Sequence, residues 1–101
     1  MLSKEIIIER IKASYPYLGA EYGVKRIGLF GSFAQDRANE ASDIDVLVEF
    51  QRPLGFKFFN LVEDLETLLG RKVDVLTPAG LQSIRVNGIA NNIRESILYL
   101  L

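Results

Sequence analysis

Residues 27–50 read Ile27-Gly28-Leu29-Phe30-Gly31-Ser32-Phe33-Ala34-Gln35-Asp36-Arg37-Ala38-Asn39-Glu40-Ala41-Ser42-Asp43-Ile44-Asp45-Val46-Leu47-Val48-Glu49-Phe50. A short apolar run ends in Gly31-Ser32, ten residues follow, and two acids one residue apart open a second apolar run rich in β-branched side chains. This pattern predicts strand, turn, strand. In an extended chain residues i and i+2 point the same way, so Asp43 and Asp45 share one face while Ile44, Val46 and Val48 pack on the other. Carboxylates that close repel each other. The repulsion raises a pKa or recruits a cation, and Mg²⁺ favours carboxylate oxygen with positions left over for water and phosphate.

Gly31 permits close backbone approach, and the Ser32 hydroxyl can donate to a phosphate oxygen. Residues 33–38 have room for one or two helical turns, which would aim N–H groups without intrahelical partners toward Ser32. A Gly-Ser pair alone is more simply a strand-to-helix turn with Ser32 as cap. The acids beyond it turn the reading toward phosphate.

Upstream, residues 3–15 have the spacing of an amphipathic helix, with Ser3 as cap, Glu5 in the first turn, and Ile7, Ile11, Tyr15 and Leu18 recurring on one side. Pro16 predicts a kink or restart, and a second piece over 16–22 should end at Gly23. Val24 to Phe30 forms the first strand, in which Gly28 marks close backbone approach.

Downstream, Arg52-Pro53-Leu54-Gly55 is a turn, and 56–69 is the strongest helix. Its predicted inner face carries Phe58 or Phe59, Val62, Leu65 and Leu69, with Glu63, Asp64 and Glu66 outside and Gly70 as terminator. Phe56, Phe58 and Phe59 read as core packing. Residues 72–77 read as a third strand stopped by Pro78, with Val73 and Val75 on one face and Asp74 on the other. If that strand lies beside 43–50, three carboxylates converge. Asp43 and Asp45 would hold Mg²⁺, while Asp74 would take a proton from an attacking hydroxyl and ligate a second ion. Ile89, Ile93, Ile97 and Leu100 or Leu101 suggest a final helical stripe, folded onto the core more readily than left as an exposed contact surface for a partner, with Arg85 and Arg94 either surface ion pairs or phosphate contacts.

Composition narrows the chemistry. The 101 residues predict one domain over 1–101, too short to pair a catalytic unit with a separate substrate-binding unit. Hydrophobic content of 49% with 25% charged residues argues for a folded globule, and a net charge of −1 gives no strong nucleic-acid signal. The chain has no cysteine and no histidine, which removes thiol catalysis, disulfides and imidazole bases. Proton transfer falls to carboxylates. With no signal layout and no long apolar run, the expectation is a cytoplasmic protein without a membrane segment.

Gly31-Ser32, ten intervening residues and Asp43-Ile44-Asp45 resemble the signature of the DNA-polymerase-β-like nucleotidyltransferase superfamily. The likeness is closest to its minimal members, the MNT antitoxins paired with HEPN toxins. It extends through Tyr22-Gly23-Val24, Leu29-Phe30-Gly31-Ser32-Phe33-Ala34, Leu69-Gly70-Arg71-Lys72-Val73-Asp74 and Ile93-Arg94-Glu95-Ser96-Ile97. The resemblance implies an α+β fold with a small mixed β-sheet flanked by helices. It implies nucleotide binding by Gly31, Ser32, Ser42 and Arg37, and catalysis and metal binding by Asp43, Asp45 and Asp74.

The family chemistry implied is transfer of AMP from ATP, with one or two Mg²⁺ ions, onto a hydroxyl, and in the paired systems onto a tyrosine of the partner HEPN toxin. One departure stands out. Many relatives carry Ala-Arg-Gly after the Gly-Ser-aromatic unit, whereas Ala34 is followed by Gln35-Asp36-Arg37. Gln35 cannot balance triphosphate charge, and Arg37 either serves the same region from a shifted position or is a solvated surface residue. Two alternatives stay open: a weak or inactive module that neutralises its partner by binding, or nucleotidyl transfer to a small molecule. The intact acids favour the enzyme. Homo- or hetero-oligomerisation is not legible.

Overall fold

The computed structural model describes residues 2–83, 93 and 96–100. Helix α1 (Lys4–Tyr22) leads into strand β1 (Val24–Phe30), a one-turn helix α2 (Gly31–Ala34) and strand β2 (Ile44–Phe50). Helix α3 (Lys57–Leu69), strand β3 (Val73–Leu76), a short α4 (Pro78–Gln82) and a two-residue β4 (Leu98–Tyr99) complete it. The strands form one mixed sheet in the order β3-β2-β1-β4, with β1 antiparallel to both neighbours and β2 parallel to β3. This is the expected α+β class, a small mixed sheet flanked by helices.

Alternation sorts the sheet into two faces. Ile27, Leu29, Ile44, Val46, Val48 and Val73 are buried against Ile7, Ile11, Leu18 and Tyr22 of α1 and Leu61, Leu65 and Leu69 of α3. Each such aliphatic side chain contributes roughly 1.5–3 kcal/mol by leaving water. Asp45, Leu47 and Asp74 alternate onto the opposite face. Leu47 and Leu81 are buried there outside the main cluster, where α4 approaches β2. The acids therefore stand on the face that α1 and α3 do not cover.

Helix ends fall where local chemistry puts them. The Ser3 hydroxyl accepts from the Ile6 N–H at 3.3 Å, and Gly23 and Gly70 close α1 and α3 in the left-handed conformation with φ of 66° and 70°. The close approach expected at Gly28 is also present. A Cβ there would overlap the Ile97 side chain and lie 3.2 Å from the Tyr99 ring.

Several expectations are corrected. Helix α1 runs unbroken through Pro16. Proline deprives the Lys12 carbonyl of its partner, but both residues are on the exposed side, where water can serve that carbonyl, and Ile7, Ile11, Leu18 and Tyr22 anchor both halves. Helix α2 starts and ends earlier than 33–38, because Asp36 adopts φ 57° and breaks the turn.

The aromatic group is not core. Phe56 is 90% and Phe59 66% exposed, and Leu61, absent from the predicted inner face, is buried instead. Leu65 and Leu69 are buried as expected, but the weight of Phe56, Phe58 and Phe59 turned the predicted stripe away from Leu61. Asp64 and Glu66 are not idle surface acids either. Asp64 accepts from the hydroxyls of Tyr17, at 2.7 Å, and Tyr22, and Glu66 accepts from the Val73 N–H at 3.0 Å.

Beyond β3, Pro78 does not merely stop the strand. It occupies the first turn of α4, whose N-cap Thr77 accepts from the Gly80 N–H at 3.1 Å. Of the predicted final helix, Leu98 and Tyr99 instead pair with β1, and the Leu100 N–H donates to Ile27 O at 2.9 Å. The open edge of β1 outcompetes helical spacing there. Arg85, Ile89, Arg94 and Leu101 lie outside the described residues. Among the described residues no helix is long and apolar enough to cross a membrane.

Candidate active site

Strand β2 is the spine of the site. Its parallel register with β3 sets Asp45 opposite Asp74, and its antiparallel register with β1 sets Asp45 opposite Phe30. Residues in register point to the same face, so the Asp45 and Asp74 carboxylates are neighbours across the strands. Strand β1 ends at the edge where β2 and β3 begin, which brings Gly31 against Asp45. With φ of 75°, Gly31 faces Asp45 so closely that a Cβ there would overlap Oδ2 and lie 3.1 Å from Cγ. Gly31, Asp45 and Asp74 thus form a row across one end of the sheet.

Asp43 precedes β2 by one residue and completes the group. Burial, then Asp74, then Asp43 raise the Asp45 carboxyl above its ordinary value. That field is what a cation would relieve. Lys72 gives only distant compensation, its Nζ lying 3.9 Å from Asp43 Oδ2 with the side chain 69% exposed. Among the described residues no group of three acids is placed to hold a metal ion. Mg²⁺ does not require one, since it is held by one or two carboxylates together with substrate phosphates and water. The donor set fits that ion: hard oxygens, excess negative charge, and an open side.

Ser32 lies in the first turn of α2, and its carbonyl accepts from the Arg37 N–H at 2.8 Å. The other two nucleotide candidates are differently placed. Arg37 is exposed beyond the turn, on a segment where Asp36 pairs with Lys4 at 3.1 Å. The Ser42 hydroxyl is occupied within a turn of its own, accepting from the Asn39 N–H at 2.9 Å. Gly31, Ser32, Asp43, Asp45 and Asp74 are thus drawn to one end of the sheet, and Ser42 supports the loop that delivers Asp43.

Sequence reasoning missed Arg71. Its Nη1 lies 2.9 Å from Asn39 O, 3.1 Å from Glu40 O and 2.9 Å from Ser42 O. Its position directly after the Gly70 terminator was the one available signal.

Residues 5–100 match the sequence profile of the nucleotidyltransferase domain. The chain is 39% identical over 101 residues to the protein adenylyltransferase MntA of Thermococcus cleftensis, spanning 99% of this chain and 98% of that one. Among solved structures, one assigned to the minimal nucleotidyltransferases superposes with a TM-score of 0.75 at 27% identity, covering 97% of this chain and 96% of the other. A toxin–antitoxin structure with AMP-PNP shares the fold, with a TM-score of 0.64 at 24% identity over 99% of this chain and 73% of that one. With a profile match from one end to the other and a relative alike along its whole length, this chain belongs to the nucleotidyltransferase domain family, in its minimal form.

Proposed function

We propose that this protein transfers AMP from ATP to a tyrosine hydroxyl of a partner toxin of the HEPN type and thereby silences it. The observation that carries the reading is Asp45 held between Gly31 and Asp74, which sets the Gly31-Ser32 turn beside paired carboxylates. Two comparisons support it. The MntA relative is named a protein adenylyltransferase, and the toxin–antitoxin structure of the same fold carries an ATP analogue.

In this reading the triphosphate lies along Gly31-Ser32, where the backbone approaches without a side chain and the Ser32 hydroxyl donates to a phosphate oxygen. Asp43 and Asp45 would hold Mg²⁺, with Asp74 beside them. When bound, Mg²⁺ neutralises phosphate charge and stabilises the departing pyrophosphate. Asp74, the most exposed of the three acids, accepts the proton of the incoming hydroxyl as its oxygen bonds to the α-phosphorus and the bond to pyrophosphate breaks. Most of the catalysis is positioning and electrostatics, which suits a site without histidine.

The test incubates the protein with ATP labelled in the AMP moiety, MgCl₂ and a purified HEPN-type toxin, alongside Asp45→Asn. Label should appear on the toxin and vanish with the variant or with EDTA. Neutralisation of the toxin that persists in Asp45→Asn without label would replace transfer by simple occlusion.

A further inference from the structure

Arg71 belongs to the turn 70–72 between α3 and β3, and its side chain reaches across to the connection between α2 and β2. One nitrogen, Nη1, faces three backbone carbonyls, those of Asn39, Glu40 and Ser42, at 2.9, 3.1 and 2.9 Å. Two N–H bonds shared among three acceptors make a forked, charge-assisted tie. The guanidinium also stacks over Phe33, its carbon 5.3 Å from the ring centroid. A single side chain therefore grips the connection near its start, beside Ser32, and at its end, beside Asp43.

The 39–42 turn holds its own shape but needs an anchor. Internally, the Ala41 N–H donates to Asn39 Oδ1 at 2.8 Å and the Ser42 N–H to Asn39 O at 3.1 Å. Among the described residues, Arg71 is the one side chain from outside that hydrogen-bonds to it. Arg71 is itself seated on fixed backbone. The Gly70 N–H donates to Glu66 O at 2.8 Å, and the Ile44 N–H donates to Lys72 O at 3.0 Å. With both Nη1 hydrogens aimed at carbonyls, that end of the guanidinium is committed to the turn.

Resting on the transfer reading above, we infer that Arg71 is a positioning residue, fixing the 39–42 turn so that Asp43 keeps its place relative to Ser32 and Asp45. It acts on turnover, not on nucleotide capture. Misplacing a reacting group by about 1 Å costs on the order of 100-fold.

Arg71→Ala and Arg71→Lys in the full chain test this by amide hydrogen exchange and by the kinetics of AMP transfer. In Arg71→Ala the Ala41 and Ser42 amides should exchange about tenfold faster while those of β1 and β2 keep their protection. Turnover should fall about 100-fold with KM for ATP nearly unchanged. Arg71→Lys, which can still donate to the same carbonyls, should recover loop protection and most of the turnover. Unchanged exchange at Ala41 and Ser42 in Arg71→Ala, or faster exchange with undiminished turnover, overturns the inference. Should the unmodified protein transfer no AMP, the functional reading fails by itself, and loop exchange still decides whether Arg71 anchors the turn.

Discussion

Gly31 and Asp45 touch across the β1–β2 boundary, with no room for a side chain between the glycine Cα and the carboxylate. The contact ties the phosphate-loop candidate to the central acid without an intervening group. It also makes position 31 doubly intolerant of substitution, since the backbone there has φ 75°.

Gly31→Ala should therefore cost roughly 1–2 kcal/mol from the left-handed backbone alone and displace Asp45 besides. Urea melts would read the first effect. Loss of labelled AMP transfer in protein that is still folded would read the second.

Asp45→Asn should raise stability while abolishing activity. The carboxylate is partly buried and repelled by Asp74 and Asp43, so its charge opposes the fold when no cation is present. Thermal melting in EDTA should show the variant above the unmodified protein, with the gap narrowing in MgCl₂, while transfer falls by at least about 100-fold. A variant that melts lower in EDTA would contradict the electrostatic account.

Acid should weaken the link between α1 and α3. The hydroxyls of Tyr22 and then Tyr17 hold the Asp64 carboxyl below its ordinary value of 3.8. A depressed folded pKa contributes stability that is fully present above 3.8 and is lost as pH falls through the lower folded value. Comparing urea midpoints between pH 5 and pH 2 should show a component of the acid loss that disappears in Asp64→Asn. Tyr22→Phe should cost about 2 kcal/mol near neutrality, the typical worth of a hydrogen bond to a charged acceptor.

Leu61→Ala and Phe56→Ala should separate core from surface on α3. Leu61 is fully buried, so truncation should cost about 2–5 kcal/mol. Phe56, at 90% exposure, should change the midpoint by no more than about 0.5 kcal/mol.

Pro16→Ala should stabilise the protein by up to about 3 kcal/mol, because α1 already runs helically through this position and alanine restores an N–H to bond the Lys12 carbonyl. Circular dichroism with chemical melts would check it. A lower midpoint would mean that Pro16 makes a packing contribution larger than its backbone cost.

What the sequence by itself determined is local. The strands over Val24–Phe30 and Ile44–Phe50, the Ser3 cap, and the stops at Gly23 and Gly70 each depend on a few adjacent residues, and all are found in the fold. The Asp43-Ile44-Asp45 spacing was legible for the same reason, although Asp43 itself lies one residue before β2 and takes its place from the turn that precedes it. Only the tertiary structure decided that β3 pairs parallel with β2 in the register that sets Asp74 opposite Asp45. It alone decided that Arg71 reaches back about thirty positions to the 39–42 turn, that α1 survives Pro16, and that Leu98-Tyr99 completes a sheet edge. Strand register and long-range hydrogen bonds answer to partners remote in the chain, where a side chain's own neighbours carry no record of what it will meet. The aromatic run at 56–59 failed for a related reason: hydrophobicity states a preference for burial, but the helix phase set by Leu61, Leu65 and Leu69 against α1 and the sheet decides which side chains are granted it.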